Sequence, residues 1–486
     1  MMSYTKRLLI YAVLISFIET KLLAQTGNLD TAYGNKGKVV TFPSNGFFEY
    51  GNSARTKDDK IIVSGLFDNL NSPQNGYPLL VCYDKDGNLD KTFGTNGQII
   101  DSLNEYFFQS VDQIAIQPDG RIITAGTNII IIDTHPFYDV NIIVARYNQD
   151  GSIDSSFGIN GYKSVDFGLM EYATAIALQP NGKIVIAGKK QNDFQPLPSF
   201  ITVRYMPDGS IDKSFGTNGA VTTKIGAQCT ANAIAIQKDG KILVGGSSNK
   251  TVDATQATFA MVRYNTDGSL DQTFASEGIL ITDFAKYGEV INSITLDKEQ
   301  RIIAAGYSNL DISFIKQRIA IARYKTDGSL DTGFGTEGKV TTQDKGNAMI
   351  ANSVIIQPNT DILIGGYNFN LTDNEGNAIV VKYHDNGIVD SSFGINGISE
   401  VDFGDQDACY DLHLQNNGKI ILAGGHSPDN AGSVYAIDLA RLYGDPTHPL
   451  ITKIKKWIQH HILHFQNPGE DENTAYYVVE ESNNQS

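Results

Sequence analysis

The chain has 486 residues, a length that suits either two or three ordinary domains or one body built from repeats. Its 47 glycines and its low charged fraction of 19% favour short strands and tight turns over helices, so we expect an all-β protein. A formal net charge of −16 argues against a nucleic-acid partner, because phosphate binding needs clustered Lys and Arg. An acidic surface is instead typical of a soluble exported protein.

Residues 1–24 have the features of a cleaved secretory signal peptide. Lys6 and Arg7 precede an apolar run that is too short to span a bilayer, and the small residue Ala24 precedes Gln25. No comparable run follows, so we predict no transmembrane segment. Gln25 is not the Cys that would accept a lipid, which disfavours a lipid anchor. We expect a monomer that is secreted, on the cell surface or in the periplasm.

After the signal peptide, one pattern recurs with a period of about sixty residues. Its Asp stands at Asp30, Asp90, Asp154, Asp212, Asp271, Asp331 and Asp390. Such regularity indicates a fold, because a residue that every repeat needs serves the packing of each repeat, whereas chemistry usually needs one constellation at one place.

Each period contains four predicted strands. In the third copy, residues 173–179 alternate in polarity, the pair Asn181 and Gly182 supplies the positive φ values of a hairpin turn, and residues 183–188 resume the alternation. A third strand is predicted over 200–205 and a fourth over 220–223. Three copies lack the turn glycine, and we expect their turns to differ or lengthen; they have Asp58-Asp59, Glu299-Gln300 and Asn359-Thr360.

Four strands per sixty residues is the content of one propeller blade. The repeat region begins with the last part of a repeat, residues 28–41, and ends with a third strand, residues 435–443. We therefore predict a seven-bladed β-propeller of four-stranded antiparallel blades over residues 27–444. The ring would be closed by pairing of the N- and C-terminal strands, which removes exposed sheet edges.

The repeat resembles a known family. The composite Ala-Ile-Ala-Ile-Gln-Pro-Asp-Gly-Lys-Ile-Ile, followed by Ala-Arg-Tyr-Asn-x-Asp-Gly-Ser-Leu-Asp-x-Ser-Phe-Gly, is similar to the delta-60 repeat of bacterial exported proteins from about Gly27 to Tyr443. The resemblance implies a β-propeller of the kind found in bacterial surface or secreted proteins. It implies no established activity and no family site to transfer.

A structural role is expected for the repeated Asp. Its carboxylate would accept turn N–H groups and face the Arg of the third strand, as in the pairs Asp154–Arg146 and Asp212–Arg204. In the first copy Cys82 stands at the Arg position, so Asp90 tests whether the turn alone suffices.

Neither the cysteines nor the clearest acidic loop indicates a metal-binding site. Cys82, Cys229 and Cys409 are odd in number and scattered, so we expect buried small hydrophobes. The loop from Asp84 to Asp90 has the alternating carboxylates of a calcium loop. The other copies place different residue types at the position of Asp84, which favours turn and capping roles: Asn148, Met206, Asn265, Lys325 and His384.

Histidines are few, and no catalytic constellation emerges. His135, His384, His413 and His426 lie in separate repeats without a close-spaced ligand pair, which favours surface or turn roles. His413 alternates with leucines and could point into the central channel, but one His makes no site. We therefore predict a non-enzyme with no catalytic, cofactor-binding or metal-binding residue.

The loops between second and third strands vary most, which fits either binding or idle drift. They are residues 66–78, 127–140, 189–199, 247–258, 307–317, 367–376 and 426–433. If they bind, protein or carbohydrate is the expected partner.

Beyond the repeats, residues 449–466 are predicted to form an amphipathic helix whose apolar stripe includes Ile451, Ile454 and Ile458. Packing on the propeller is favoured over docking to a membrane or partner, and metal binding by His460 and His464 is disfavoured. Residues 467–486 are acidic and are expected to be disordered.

The sequence thus favours an exported, non-enzymatic propeller that acts as a binding or scaffold module for a protein or glycan. Two alternatives stay open: a hydrolase or lactonase with a metal-assisted site at the channel mouth, and a calcium-stabilised adhesion module.

Overall fold

The computed structural model of the protein describes residues 26–42, 46–69, 76–101, 107–131, 138–192, 197–251, 256–284, 287–311, 316–343, 347–370, 375–404, 406–427 and 436–445. The predicted signal peptide, helix 449–466 and acidic tail lie outside these residues, as do His135 and the centres of the variable loops. By its contacts the chain divides into two units, Met1–Asp445 and Pro446–Ser486, and all described residues belong to the first.

The described elements are all strands, as the composition predicts. They are β1 (Lys38–Thr41), β2 (Gly46–Arg55), β3 (Ile61–Asn69), β4 (Gly76–Tyr83), β5 (Gln98–Ile100), β6 (Phe107–Ile116), β7 (Ile122–Ile131), β8 (Tyr138–Tyr147), β9 (Tyr162–Val165), β10 (Met170–Leu178), β11 (Ile184–Gln191), β12 (Ser199–Tyr205), β13 (Ala220–Thr223), β14 (Gln228–Ile236), β15 (Ile242–Asn249), β16 (Ala257–Tyr264), β17 (Ile279–Thr282), β18 (Glu289–Leu296), β19 (Ile302–Asn309), β20 (Gln317–Tyr324), β21 (Lys339–Thr342), β22 (Asn347–Ile356), β23 (Ile362–Asn370), β24 (Gly376–Tyr383), β25 (Ile398–Val401), β26 (Gln406–Leu414), β27 (Ile420–Ser427) and β28 (Ile437–Leu442). Within the described ranges, no helix has the length and apolar character needed to cross a membrane.

The strands pair antiparallel in groups of four consecutive elements. In the third group, β10 pairs with β11, β11 with β12 and β12 with β13. The first group (β2–β5), the second (β6–β9), the fourth (β14–β17), the fifth (β18–β21) and the sixth (β22–β25) repeat this order. Single register bridges also join β4 to β6 and β24 to β26.

The last group takes strands from both ends of the described chain. β26 pairs with β27 and β27 with β28, and β1 pairs antiparallel with β28 from Lys38↔Ala440 to Thr41↔Ile437. Two main-chain hydrogen bonds extend this pairing, from Gly27 N to Tyr443 O and from Asp30 N to Arg441 O, both 2.7 Å.

The apolar core lies between neighbouring groups. One cluster joins Ile123 and Val144 of the second group to Phe157, Ile186 and Val203. Because the second and third strands of a sheet are covered on both faces, most of their residues are buried: five of eight in β11 and six of seven in β12. A further cluster joins the first group to the last; it contains Tyr33, Ile61, Val63, Ile421 and Leu439.

The hairpin turns correct one prediction. The turns without glycine neither differ nor lengthen, because Asp59 N bonds to Thr56 O just as Gly182 N bonds to Gln179 O. Asp59, Gln300 and Thr360 take the glycine's place with φ values of 61°, 64° and 76°. These residues adopt a left-handed conformation that glycine enters without strain, so the surrounding sheet imposes the turn shape.

In each group, the turns between first and second strands lie at one end, which we call the turn end. The loops between second and third strands lie at the opposite end, the loop end. This division follows from the antiparallel order of the strands.

Candidate functional site

The repeated Asp lies at the turn end and forms the ion pairs that the sequence predicts. Arg204 Nε donates to Asp212 Oδ2 at 2.7 Å, and Arg146 Nε donates to Asp154 Oδ2 at 2.8 Å. Burial alone would raise the pKa of Asp154, but hydrogen bonds from Ser156 and the charge of Arg146 lower it to about 2. These carboxylates are therefore ionised and fully engaged in holding their own turns.

The same motif ties each group to the next. The Arg204 guanidinium stacks on Phe215 with 4.5 Å to the ring centroid, and its Nη1 donates to Thr266 O in the fourth group. Gly216 N donates to Asp267 O at 2.8 Å across the same boundary. Equivalent main-chain bonds between groups run from Gly34 to Asp86, Gly94 to Asp150, Gly158 to Asp208, Ala275 to Asp327, Gly335 to Asn386 and Gly394 to Thr26.

A second basic residue, which the sequence reading missed, also binds the repeated Asp. Lys183 Nζ lies 2.8 Å from Asp212 Oδ2, and Lys60 Nζ lies 2.6 Å from Asp90 Oδ2. The turn alone therefore does not satisfy Asp90, because Lys60 stands in where Cys82 replaces the arginine. The available signal was a Lys or Arg just before the second strand, at Lys60, Arg121, Lys183, Lys241, Arg301 and Lys419.

The sixth group breaks this rule and brings three possible metal ligands together. Asp361, His384 and Asp390 offer ligand atoms within 4.8 Å of one another. The Lys382 ammonium, however, lies 3.0 Å from both Asp361 Oδ2 and Asp390 Oδ2, and 2.8 Å from Asp445 Oδ2. This ammonium already supplies the positive charge that these carboxylates need, so the cluster is an ion-pair network.

The last group contains a different cluster at its loop end, formed by Asp407, His426 and Asp438. Their ligand atoms lie within 4.8 Å of one another, and the residues are 3%, 7% and 1% exposed. His426 Nδ1 lies 2.8 Å from Asp438 Oδ2, and Phe403 N donates to Asp407 Oδ2 at 2.6 Å. The prediction of a surface or turn role for His426 is wrong, because the imidazole is enclosed between strands.

Burial dominates the electrostatics of this cluster. It raises the pKa of Asp407 to about 7, although the Phe403 N–H favours the ionised form. It also raises the pKa of Asp438, against the opposing effect of His426. Ionised carboxylates are thus costly here without further positive charge.

Two members of the cluster depart from the repeat. His426 pairs in register with Asp407, and the matching pair of the third group is Lys190 and Glu171. Asp438 lies opposite Gly424, a position where all other groups have an apolar residue. Those residues are Leu79, Ile143, Ile201, Ala260, Ala320 and Ile379. Chain spacing could not reveal the cluster, because the three residues meet only through strand register.

The remaining candidates have structural contacts. Asp84 Oδ1 accepts the N–H groups of Asp86 and Asn88 at 2.9 Å, which is the turn role favoured over calcium. All three cysteines are free and buried, as predicted.

His413 joins the first strands of the last and first groups. Its Nε2 lies 2.7 Å from Ser53 Oγ, and Asp411 Oδ2 accepts from Ser53 N at 2.8 Å. Burial lowers the pKa of His413 to about 4, so the imidazole is neutral near pH 7. Asp411 and His413 thus both contact Ser53, whereas in a hydrolytic triad the carboxylate contacts the imidazole.

Three half-buried tyrosines lie toward the loop end of the last three groups: Tyr307 on β19, Tyr367 on β23 and Tyr410 on β26. Burial, with smaller contributions from Tyr410 and Tyr307, raises the pKa of Tyr367 to about 12. We call these three tyrosines, which are near enough to interact electrostatically, the tyrosine patch.

The model of the family described as "Domain of unknown function (DUF5122) beta-propeller" matches residues 56–93, 137–157, 179–215, 237–274 and 301–334. These five segments are similar to DUF5122 beta-propeller repeats. This match confirms the predicted resemblance to the delta-60 repeat propeller family. Each matched segment contains one repeated Asp with its turn, from Asp90 to Asp331. The cluster of Asp407, His426 and Asp438, which we call the Asp407 cluster, lies outside the matched DUF5122 segments.

Solved structures that match this chain have varied descriptions. A protein of unknown function from Dyadobacter fermentans is 11% identical, with 84% of this chain and 98% of that chain covered and a TM-score of 0.45. Virginiamycin B lyase from Staphylococcus aureus is 11% identical, with coverages of 83% and 99% and a TM-score of 0.44. An alpha-L-arabinofuranosidase of Fusarium graminearum is 12% identical, with coverages of 68% and 92% and a TM-score of 0.42. No curated protein matches the chain.

Proposed function

We propose that residues 27–444 form a seven-bladed propeller, closed where β1 completes the last blade, and that this rigid body serves as an exported binding or scaffold module. The β1–β28 register and the hydrogen bond from Gly394 N to Thr26 O support the closure. A disulfide test follows from the register pair Val39↔Leu439. The double variant Val39→Cys, Leu439→Cys should form an intramolecular disulfide under oxidation and unfold at higher temperature. Failure to form it in folded protein would contradict the closure.

The tyrosine patch is the observation that carries the binding role. The repeated charged residues are engaged in contacts within and between groups, whereas Tyr307 and Tyr367 lie on second strands that lead into variable loops. Tyrosine presents a rigid apolar face together with a polar hydroxyl, which suits both protein and sugar surfaces. We infer that the loop end recognises a glycan or a protein.

A non-enzymatic role fits the chemistry of the described residues. Ser53, which contacts both Asp411 and His413, is only 5% exposed. The Asp407 cluster is similarly closed to a substrate, because none of its members is more than 7% exposed. Catalytic groups need access to the reacting atoms, and these groups lack it.

Binding is tested on an array of defined bacterial and plant glycans with the fluorescently labelled, full-length chain. We expect binding to at least one glycan, lost in Tyr367→Ala and kept in Ile395→Ser, a matched control at the 79% exposed Ile395 of the turn end. Equal binding by both variants would contradict a role for the tyrosine patch. Release of shorter sugars, detected by mass spectrometry, would contradict the non-enzymatic proposal.

Export is tested separately. Mass spectrometry of the protein from the envelope or medium of an expressing bacterium should give a mature chain that begins at Gln25. Retention of residues 1–24 on a cytosolic protein would contradict export.

A further inference from the structure

We propose that Asp407, His426 and Asp438 bind one divalent transition-metal ion, with zinc as the best-matched ion, in a structural site. The three residues come from β26, β27 and β28, and their ligand atoms lie within 4.8 Å of one another. In the other six groups the position of Asp438 is held by an apolar residue. A metal ion would therefore link three strands of the last group.

Two buried oxygens point to a ligand that the described part of the chain does not supply. Asp407 Oδ1 and Asp438 Oδ1 are buried and have no hydrogen-bond partner among the described residues. Buried polar atoms are normally satisfied, and a buried carboxylate is especially costly when it is not. With a neutral imidazole, the two carboxylates carry two negative charges, which one divalent cation would neutralise.

The comparison with other groups strengthens this argument. In the sixth group an ammonium, Lys382, occupies the centre of the acidic cluster. In the third group Lys190 Nζ lies 3.3 Å from Glu171 Oε1. In the last group the position of Lys190 is taken by His426, and the nearby Lys38 donates to the main-chain oxygen of Asp402. The last group thus has two carboxylates where the third group has one, and an imidazole where the third group has an ammonium.

The ligand types favour zinc over calcium. Calcium prefers six to eight oxygen ligands, whereas imidazole nitrogen with carboxylate oxygen suits zinc and similar ions. The hydrogen bond from Phe403 N to Asp407 Oδ2 holds one ligand in place, as outer-shell contacts do in metal sites. Phe42 packs edge-on against His426 with 6.0 Å between ring centroids. The enclosure of the site favours a structural role, and the second carboxylate oxygens of Asp407 and Asp438 are available to complete the four ligands of a structural zinc ion.

The site would also secure the N-terminal strand. Asp438 lies opposite Val40 in the β1–β28 register. An ion that fixes Asp438 to β26 and β27 therefore fixes the strand against which β1 pairs. Metal binding and retention of β1 should be linked.

Zinc content tests the proposal in the tag-free, full-length chain. All samples carry His460→Gln, His461→Gln and His464→Gln, so that tail histidines cannot supply the signal. After EDTA treatment, zinc loading and gel filtration, elemental analysis should find one zinc per chain. Zinc in excess should raise the Tm by about 3 °C. Asp438→Asn and Asp407→Asn should weaken zinc binding by at least about 100-fold.

Two further variants keep the test decisive. Glu171→Gln, at the position in the third group that matches Asp407, should retain one zinc. Asp438→Ile introduces the residue that the third group has at the equivalent position, Ile201. This variant should fold, as judged by circular dichroism, and bind no zinc. The proposal is overturned if the chain that carries only the three tail substitutions retains no zinc. It is also overturned if folded Asp438→Ile retains as much zinc as that chain.

Discussion

The third and last groups place a buried carboxylate at the same position and neutralise it differently. In the third group, Glu171 accepts the Phe167 N–H at 3.2 Å and faces Lys190 across the register. In the last group, Asp407 accepts the Phe403 N–H at 2.6 Å but faces His426, and Asp438 adds a second carboxylate. The two groups thus share the same strand pairing but carry different charged side chains at these positions.

This difference shows how repeats can diverge locally without loss of the common sheet. The turn ends of the two groups are alike: Arg441 Nε lies 2.7 Å from Asp30 Oδ2, as Arg204 Nε does from Asp212 Oδ2. The buried charged positions that differ between the two groups lie at the loop end. Each of the following variants tests one side of this comparison.

The largest effect is expected from removal of the repeated Asp. Asp30→Ala and Asp212→Ala each leave a buried guanidinium without its carboxylate, so each should lower the free energy of unfolding by about 3–5 kcal/mol. The two should differ in protease sensitivity. Asp30 belongs to the segment that pairs with β28, so trypsin should cleave after Lys36 or Lys38 faster in Asp30→Ala alone. Equal cleavage in both variants would contradict the special position of the N-terminal strand.

A smaller effect, with a defined pH dependence, is expected at Glu171. Burial raises its pKa from 4.5 to about 7, so the folded state holds the proton more tightly than the unfolded state. The carboxylate therefore costs stability as the pH rises from about 4.5 to 7, by about 3 kcal/mol in total. Urea unfolding in EDTA should show that Glu171→Gln loses less stability than the unmodified chain between pH 4.5 and 7.5. Parallel pH profiles would refute this account of Glu171.

Hydrogen bonds between the first strands of neighbouring groups should contribute about equally to stability at the third group and at the last group. Thr174 Oγ1 donates to Ala231 O at 2.8 Å, and Asn352 Nδ2 donates to Cys409 O of the last group at 2.9 Å. Thr174→Ala and Asn352→Ala should each cost about 1 kcal/mol in urea unfolding. A much larger cost for Asn352→Ala would show that the last group differs at its first strand as well as at its loop end.

The smallest effect is expected from the second basic residue. Lys183 and Lys419 are partly exposed, and the Asp that each contacts keeps its arginine. Lys183→Ala and Lys419→Ala should therefore each lower the free energy of unfolding, measured with urea, by no more than about 1 kcal/mol. The two losses should be similar. Unequal losses would mean that the turn ends of the third and last groups are not equivalent.

The sequence was sufficient for features that recur in every period. Alternating polarity and turn residues predict the strands, and the repeat of Asp with Arg eight residues earlier predicts the pairs at Asp154 and Asp212. The basic residue before the second strand was visible in the same way but was not connected to the Asp. These features could be predicted because repetition distinguishes a structural requirement from chance.

The Asp407 cluster could not be predicted in that way. Its members are 19 and 12 residues apart along the chain, and only the pairing of β26, β27 and β28 joins them. The sequence places His426 at the edge of a variable loop, whereas it lies near the end of β27, and Asp438 stands within an apolar segment. A comparison of each strand position across repeats would have singled out Asp438.

Anomalous X-ray diffraction at the zinc edge, from crystals of the zinc-loaded full-length chain, tests the central claim most directly. We predict one strong anomalous peak between Asp407, His426 and Asp438, and no peak at Glu171 and Lys190 of the third group. A well-ordered last group without a peak at that place would contradict the account.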